Sequence, residues 1–536
     1  MTAIVKVGGG DRELGAAIIG GSRSYRSTTC HEASRLVLAQ IDGVHRATSS
    51  VSTHTWAAAY GGVDYADLGG PYDYATTNRS MDSGGKFVVN GGCVYIDLGH
   101  PEMCTPECQS ADDYVTYVYA MLGVVGDAAR RASAELPEDE HVVIFVDNSD
   151  RQGNSYGSHL NMSVSRELWH AMFREPMFPH LTFLASFQAS SIVLTGGGKV
   201  GSEDDAPAAA LQAPATGYQA PGAAHQAPAA TYQAPAATFQ VSRRADFIKT
   251  FVGEQTTFNR PMINARDEAL GEEARLHCIF FDSVLFPAAN YLQFGQLQLI
   301  AAMMEAGPRW MPMDLLLESP VLAVRRWSRD SSLQARQPTL TGKQVTAVEH
   351  QRMLVDTVGR FIASGRLDGM VADAQGILAY WDETLKFLET GDDERAARRI
   401  EWLAKKRVLQ TVMENRDDLD WSSAAIRRLD MMFSDLDEHR GIYWKLVAGD
   451  AVDRLPSPAD ILHFRSYPPQ DTRARVRGTL IRRLGAAGIS SADWATMRLR
   501  DGYRTFAIDL PDPADPGPAS LEELIDEVKR DGSLNH

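Results

Sequence analysis

The feature that most limits how this chain can fold is a change of hydrophobic period near residue 288. Before it, apolar residues fall in short β-rich runs such as "GKFVVNGGCVYIDL", "HVVIFVD" and "RLHCIFF". After it they recur at spacings of three and four through "YLQFGQLQLIAAMMEAG", "TAVEHQRMLVDTVGRFIAS", "DAQGILAYWDETLKFLE" and "ERAARRIEWLAKKRVLQTVMENR". One helical pattern, 112–134, interrupts the first half and starts after Ser110, a suitable N-cap. The order predicts an α+β protein with a sheet at its centre and helices covering one face of it.

Two segments carry no core pattern. Residues 47–85 are rich in Gly, Ser, Thr, Asp and Tyr, with "GGVDYADLGGPYDY" at their middle, and read as a long flexible loop ahead of the opening strand. Residues 203–238 carry a tandem QAPA repeat of Ala and Pro that reads as a disordered, partly polyproline insertion. A composition break near "RLPSPADILHFRSYPPQ" divides a large domain, 1–455, from a small C-terminal one, 456–536.

The 536 residues carry a net charge of -16, which argues against nucleic acid as a partner. The five cysteines have no paired CxxC spacing, so neither a disulfide framework nor a structural zinc site is expected, and a reduced, cytoplasmic compartment fits. The apolar stretch "YVTYVYAMLGVVGDAA" is broken by Gly and Asp well short of a membrane span and reads as a core helix.

Four separated places concentrate reactive groups. "GGGDRELG" sets Asp11 and Glu13 two apart, on one face if the segment is a strand, although an exposed turn is the commoner setting for such a pair. "VYIDLGHPE" carries Asp97 inside an apolar run and His100 and Glu102 just past it. In "DNSDRQGNSYGSHLN" alternation puts Ser155, Gly157, His159 and Asn161 on one face and Leu160 on the other. "NRPMINARDE" supplies Arg260, Asn264 and Arg266 ahead of the strand holding His277, and "DTRARVRG" supplies Arg473, Arg475 and Arg477. Arginines suit bidentate phosphate binding, and surface pairing is their ordinary use. No phosphate loop, dinucleotide fingerprint or GxSxG elbow is present. Carboxylates with few thiols favour magnesium or manganese over zinc.

In their order, "DRELG", "NGGCVYIDLGHPE", "DNSDRQGNSYGSHLN", "RRADF", "RPMINARDE", "RLHCIFFD", "FSDLDEHRGIY" and "PPQDTRARVRG" resemble the family of the prokaryotic ubiquitin-like protein (Pup) ligase and its relative the depupylase or Pup deamidase, the PafA/Dop family. The long loop before the Asp97 strand and the short spacing from Asp97 to Glu102 look like the depupylase branch. The resemblance implies a glutamine-synthetase-like fold, with a curved, mostly antiparallel sheet cradle backed by helices and a small C-terminal α/β domain. It implies ATP and Mg2+ as cofactors and Pup or a Pup-like protein as partner. It further implies Asp97 as catalytic carboxylate, and Asp11, Glu13, Glu102, His159 and His277 as magnesium ligands. Nucleotide contacts are expected from Asn161, Arg260, Asn264, Arg266, Arg473 and Arg477. The chain departs from the family pattern at Asp11, usually glutamate, at Leu14, usually aromatic, and at Leu160, usually glutamate.

Three functions follow. The first is an ATP-dependent amidohydrolase cutting a C-terminal glutamine carboxamide or a Glu–Lys isopeptide. The second is a carboxylate–amine ligase working through an acyl phosphate. The third is an inactive binding homologue, suggested by the departures at Asp11, Leu14 and Leu160.

Overall fold

The computed structural model describes residues 4–20, 30–47, 84–151, 153–174, 178–203, 239–254, 260–267, 269–270 and 272–532. Positions 48–83 of the long loop and 204–238 of the repeat segment lie outside the described residues.

Among the described residues fourteen strands precede the helical half. They are β1 (Gly8–Glu13), β2 (Gly15–Gly20), β3 (Val44–His45), β4 (Gly85–Phe87), β5 (Cys93–Asp97), β6 (His100–Cys104), β7 (Glu140–Phe145), β8 (Ser158–Val164), β9 (Lys199–Val200), β10 (Phe239–Gln240), β11 (Ile248–Gly253), β12 (Arg260–Asn264), β13 (Ala269–Leu270) and β14 (Glu273–Cys278). Eight of them form one antiparallel sheet in the order β13-β14-β8-β1-β6-β5-β4-β3. The segment expected more often in a turn, "GGGDRELG", is therefore the middle of the sheet. Pairing on both sides, to β6 and β8, outweighs the local preference of its glycines.

Period two sorts the residues of this sheet between two environments. One face meets the helix Ala111–Ala134, whose N-cap Ser110 accepts from the Asp113 amide at 3.0 Å, and the helix Pro287–Glu305, buried along its whole length. Gly8 and Gly10 permit that approach. A Cβ on Gly10 would come within 2.5 Å of the Tyr114 hydroxyl, and one on Gly8 within 2.9 Å of the Phe294 ring. Tyr114 and Phe294 stack on each other at 4.4 Å. Leu160, Met162, Leu276 and Met103 fill the same core, and Arg12 is held there by the Val284 carbonyl at 3.0 Å and by Asn290.

The C-terminal segment has its own apolar cluster. The helix Ala474–Gly488 and the strands Ile489–Ala492, Thr496–Asp501 and Arg504–Asp509 contribute Val476, Leu480, Ile489, Met497, Leu499 and Ile508, which join Val44, Phe87, Cys93 and Cys104 of the sheet. The helix Pro458–Ser466 lies instead against Ala111–Ala134, with Phe464 stacked on Tyr117 at 4.6 Å. No helix among the described residues is long and apolar enough to cross a membrane.

Candidate active site

The stretch "VYIDLGHPE" is a two-residue hairpin. β5 ends on Asp97, Leu98 and Gly99 make the turn with φ of 45° and 89°, and β6 starts at His100. Positive φ at both central residues matches the twist of a tight hairpin; Gly99 takes it freely, and Leu98 is an uncommon occupant. The register sets Asp97 opposite His100 and Tyr95 opposite Glu102. Asp97 and Glu102 thus become diagonal neighbours on one face.

β1 adds two carboxylates to that face. Glu13 pairs with Glu102 on β6, and Asp11 stands between Cys104 on β6 and His159 on β8. β14 brings His277 opposite Asn161 of β8. Oxygens of Glu13, Asp97 and Glu102 lie within 4.8 Å of one another, and so do ligand atoms of Asp11, Glu102 and Cys104. The His159 and His277 rings meet edge to face at 5.0 Å. Asn161 donates to Asp11 at 2.8 Å, and the Gly157 amide donates to Glu13. Gly157 is required here, because a Cβ on it would strike Nε2 of His159 at 2.4 Å.

These groups are under electrostatic tension. Burial, then Glu13, Asp97 and Asp11, push the Glu102 carboxyl well up. Its Oε2 has no hydrogen-bond partner among the described residues, although Tyr95 donates to the group. Burial, then Arg244 and Arg260, push His159 well down; burial, then Arg275, do the same to His277. Both shifts favour the neutral imidazole, the form in which histidine ligates a cation. His159 Nε2 also lacks a partner among the described residues. Convergent carboxylates with unfilled acceptors and neutral imidazoles are what a divalent cation satisfies.

Against this geometry the comparison with known proteins is decisive: the chain matches the Pup-ligase protein family over residues 17–498. The chain belongs to the Pup-ligase family. It is 32% identical over 473 residues to the Pup deamidase/depupylase of Mycobacterium tuberculosis, covering 87% of this chain and 85% of that one. It is 33% identical over 458 residues to the Pup–protein ligase of Sanguibacter keddieii, covering 83% and 90%. Its fold is that of PafA. The solved complex of Pup with its ligase PafA superposes with a TM-score of 0.74 at 20% identity, over 98% of this chain and 92% of that one. PafA in complex with ADP gives 0.67 at 22% identity, over 88% and 96%.

Within this Pup-ligase family chain the expected arginines divide. Arg260 donates to the Ser155 carbonyl at 2.7 Å and lies near Glu13. Arg266, whose amide donates to Asn264 at 2.8 Å, contributes to the lowering of both histidines. Arg473 and Arg477 are placed elsewhere. Both are buried, and both are ion-paired to Glu107, Arg473 at 2.7 Å. They also donate to the carbonyls of Leu510, Pro511, Gly91 and Trp494. In this structure the guanidinium groups bond a carboxylate and backbone, and they tie the C-terminal segment to the sheet. Arg475 is likewise occupied, donating to the carbonyls of Pro516 and Pro518.

The sequence reading missed four residues on this face: Tyr95, Cys104, Arg275 and Arg244. Three lie two positions from a residue already singled out, at Asp97, Glu102 and His277, so strand parity carried the signal. Arg244 lies in the "RRADF" motif. The departure at Leu160 leaves the cradle untouched, since that side chain is 2% exposed in the opposite core. Leu14 is buried in the core too.

Proposed function

We propose that the protein is an ATP- and magnesium-dependent amidohydrolase that cleaves a side-chain amide of Pup or a Pup-like protein, either a C-terminal glutamine carboxamide or a Glu–Lys isopeptide. The observation that supports this most is the half-buried Asp97 at the mouth of the hairpin, in reach of Glu13 and Glu102. The relatives named depupylase point the same way.

Asp11, Glu13, Glu102, His159 and His277 are the residues that would hold magnesium, and a bound divalent ion supplies charge neutralisation and polarises a carbonyl or phosphoryl oxygen. Arg244, Arg260 and Arg266 surround the histidines and attract the anionic tail of a nucleotide. A carboxylate oxygen of Asp97 attacks the amide carbon, and the nitrogen leaves with a proton as amine or ammonia. The resulting mixed anhydride is opened by water, which returns the Asp97 carboxylate and releases the product as a carboxylic acid. The relatives that are Pup–protein ligases support a second reading, in which Asp97 instead deprotonates an incoming lysine amine. Free thiols at all five cysteines suit a cytoplasmic setting.

The test is incubation with ATP, magnesium and Pup peptides ending in glutamine or glutamate, with products read by mass. The hydrolase reading expects a gain of one mass unit at a glutamine end, without stoichiometric phosphate release. Amide formation with one phosphate per bond would establish the ligase instead.

A further inference from the structure

Cys104 is among the groups of the cradle that the mechanism leaves unused. Cys104 stands two residues past Glu102 on β6 and shares its face. It is the direct register partner of Asp11, which on its other side faces His159. Its sulfur, an Asp11 oxygen and a Glu102 oxygen lie within 4.8 Å of one another. Glu102 is 2% exposed and Cys104 1%. Glu102 Oε2 has no hydrogen-bond partner among the described residues. A buried carboxylate with one unsatisfied oxygen, beside a thiol and a second carboxylate, offers the donors of a cation site.

The donors are not those of the neighbouring group. Glu13, Asp97 and Glu102 offer oxygen alone, which suits a hard ion. Magnesium demands near-octahedral oxygen at about 2.0–2.1 Å and has little affinity for sulfur. Zinc takes sulfur at about 2.3 Å and carboxylate oxygen at about 2.0–2.2 Å, in an open tetrahedral arrangement that tolerates a mixed set.

We propose that Asp11, Glu102 and Cys104 form a mixed oxygen–sulfur cation site that takes zinc or cobalt in preference to magnesium. The inference rests on the reading of the cradle as cation-binding and adds a second, softer position to it, with Asp11 and Glu102 shared between the two and Cys104 the added ligand. On binding, the thiol proton passes to solvent and the sulfur becomes a thiolate ligand. The identity of the bound ions would then depend on which divalent metals the cell supplies.

Cobalt(II) added to chelator-stripped protein is the probe. Binding through Cys104 produces a sulfur-to-cobalt charge-transfer band in the near ultraviolet. Cys104→Ser loses that band, while Cys93→Ser and Cys30→Ser keep it. Zinc displaces the cobalt, and equimolar magnesium does not. X-ray absorption of the zinc-loaded, unmutated protein provides a measurement independent of any variant's folding, with one sulfur expected at about 2.3 Å. A first shell of oxygen and nitrogen only, or a charge-transfer band that survives Cys104→Ser, overturns the proposal. Visible d–d bands without charge transfer also overturn it but leave the cation-binding cradle standing. No cobalt binding in any form overturns both.

Discussion

Arg243 and Arg244 are adjacent in the chain and both fully buried, yet they serve opposite kinds of site. Arg243 turns behind the sheet, where it pairs with Glu401 at 2.8 Å and donates to the carbonyls of Val146 and Ser283. Around it Asp430 pairs with Lys405 at 2.9 Å and with Arg151 at 2.8 Å. There each charge faces its opposite, and although burial opposes ionisation, Lys405 and Arg151 hold the Asp430 carboxyl well below the usual range. Arg244 donates to the carbonyls of Ser158 and Phe281, while its Nε and Nη2 have no partner among the described residues. Burial and then Arg260 push it down to about 9. Like charges gather in the cradle, and opposite charges gather behind it. The same residue types are therefore structural where their bonds are complete and available to a ligand where they are not.

The widest separation between the two regions is expected at Asp97. Asp97→Asn should lower turnover of Pup substrates by about 10⁴-fold while nucleotide affinity, read by calorimetry, stays within about two-fold. Loss of folding in place of loss of turnover would put Asp97 on the structural side.

Next come the two arginines themselves. Arg243→Met leaves Glu401 buried and unpaired, and should cost about 3–5 kcal/mol in denaturant unfolding. Arg244→Met should leave stability within about 1 kcal/mol of the parent but weaken nucleotide binding about ten-fold, roughly 1.4 kcal/mol. Equal destabilisation by both would erase the contrast.

Glu107 extends the comparison to pH. Burial opposes its ionisation, but Arg477 and Arg473 hold it at about 2, against an ordinary 4.5. Its folded value is lowered, so the stability it adds is present above pH 4.5 and is lost as pH falls toward 2. Glu107→Gln should cost about 3 kcal/mol at pH 7 and flatten the acid limb of the Tm profile. The smallest effect is expected at Glu102. In chelator-treated protein Glu102→Gln removes a crowded carboxylate and should stabilise by about 1 kcal/mol, while abolishing the rise in Tm that divalent cation gives the parent.

Much of this division was written in the sequence, because period two is a local property. Asp11 with Glu13, and His159 with Asn161, could be assigned to one face before the partners of either strand were known, and Leu160 to the other. The Ser110 cap was equally local. What could not be read was which distant groups would meet. Nothing near Arg473 or Arg477 announces Glu107, so the part of this arginine-rich segment in tying the C-terminal segment to the sheet was not legible. The turn at Leu98 and Gly99 lacks the Asn-Gly signature of a tight hairpin, so the spacing from Asp97 to Glu102 gave no register until the strands were seen to pair.

The placement of β1 has a consequence for how such a protein is made. This strand is synthesised ahead of both its neighbours, which begin at His100 and Ser158, and the strand that brings His277 comes later still. Until those neighbours are made its amide and carbonyl groups lack their ladder partners, which makes the nascent strand a client for chaperones and a point of misassembly. By the same logic no product that stops short of β14 carries all the residues of the proposed cation pocket, and metal capture would certify that synthesis has passed His277.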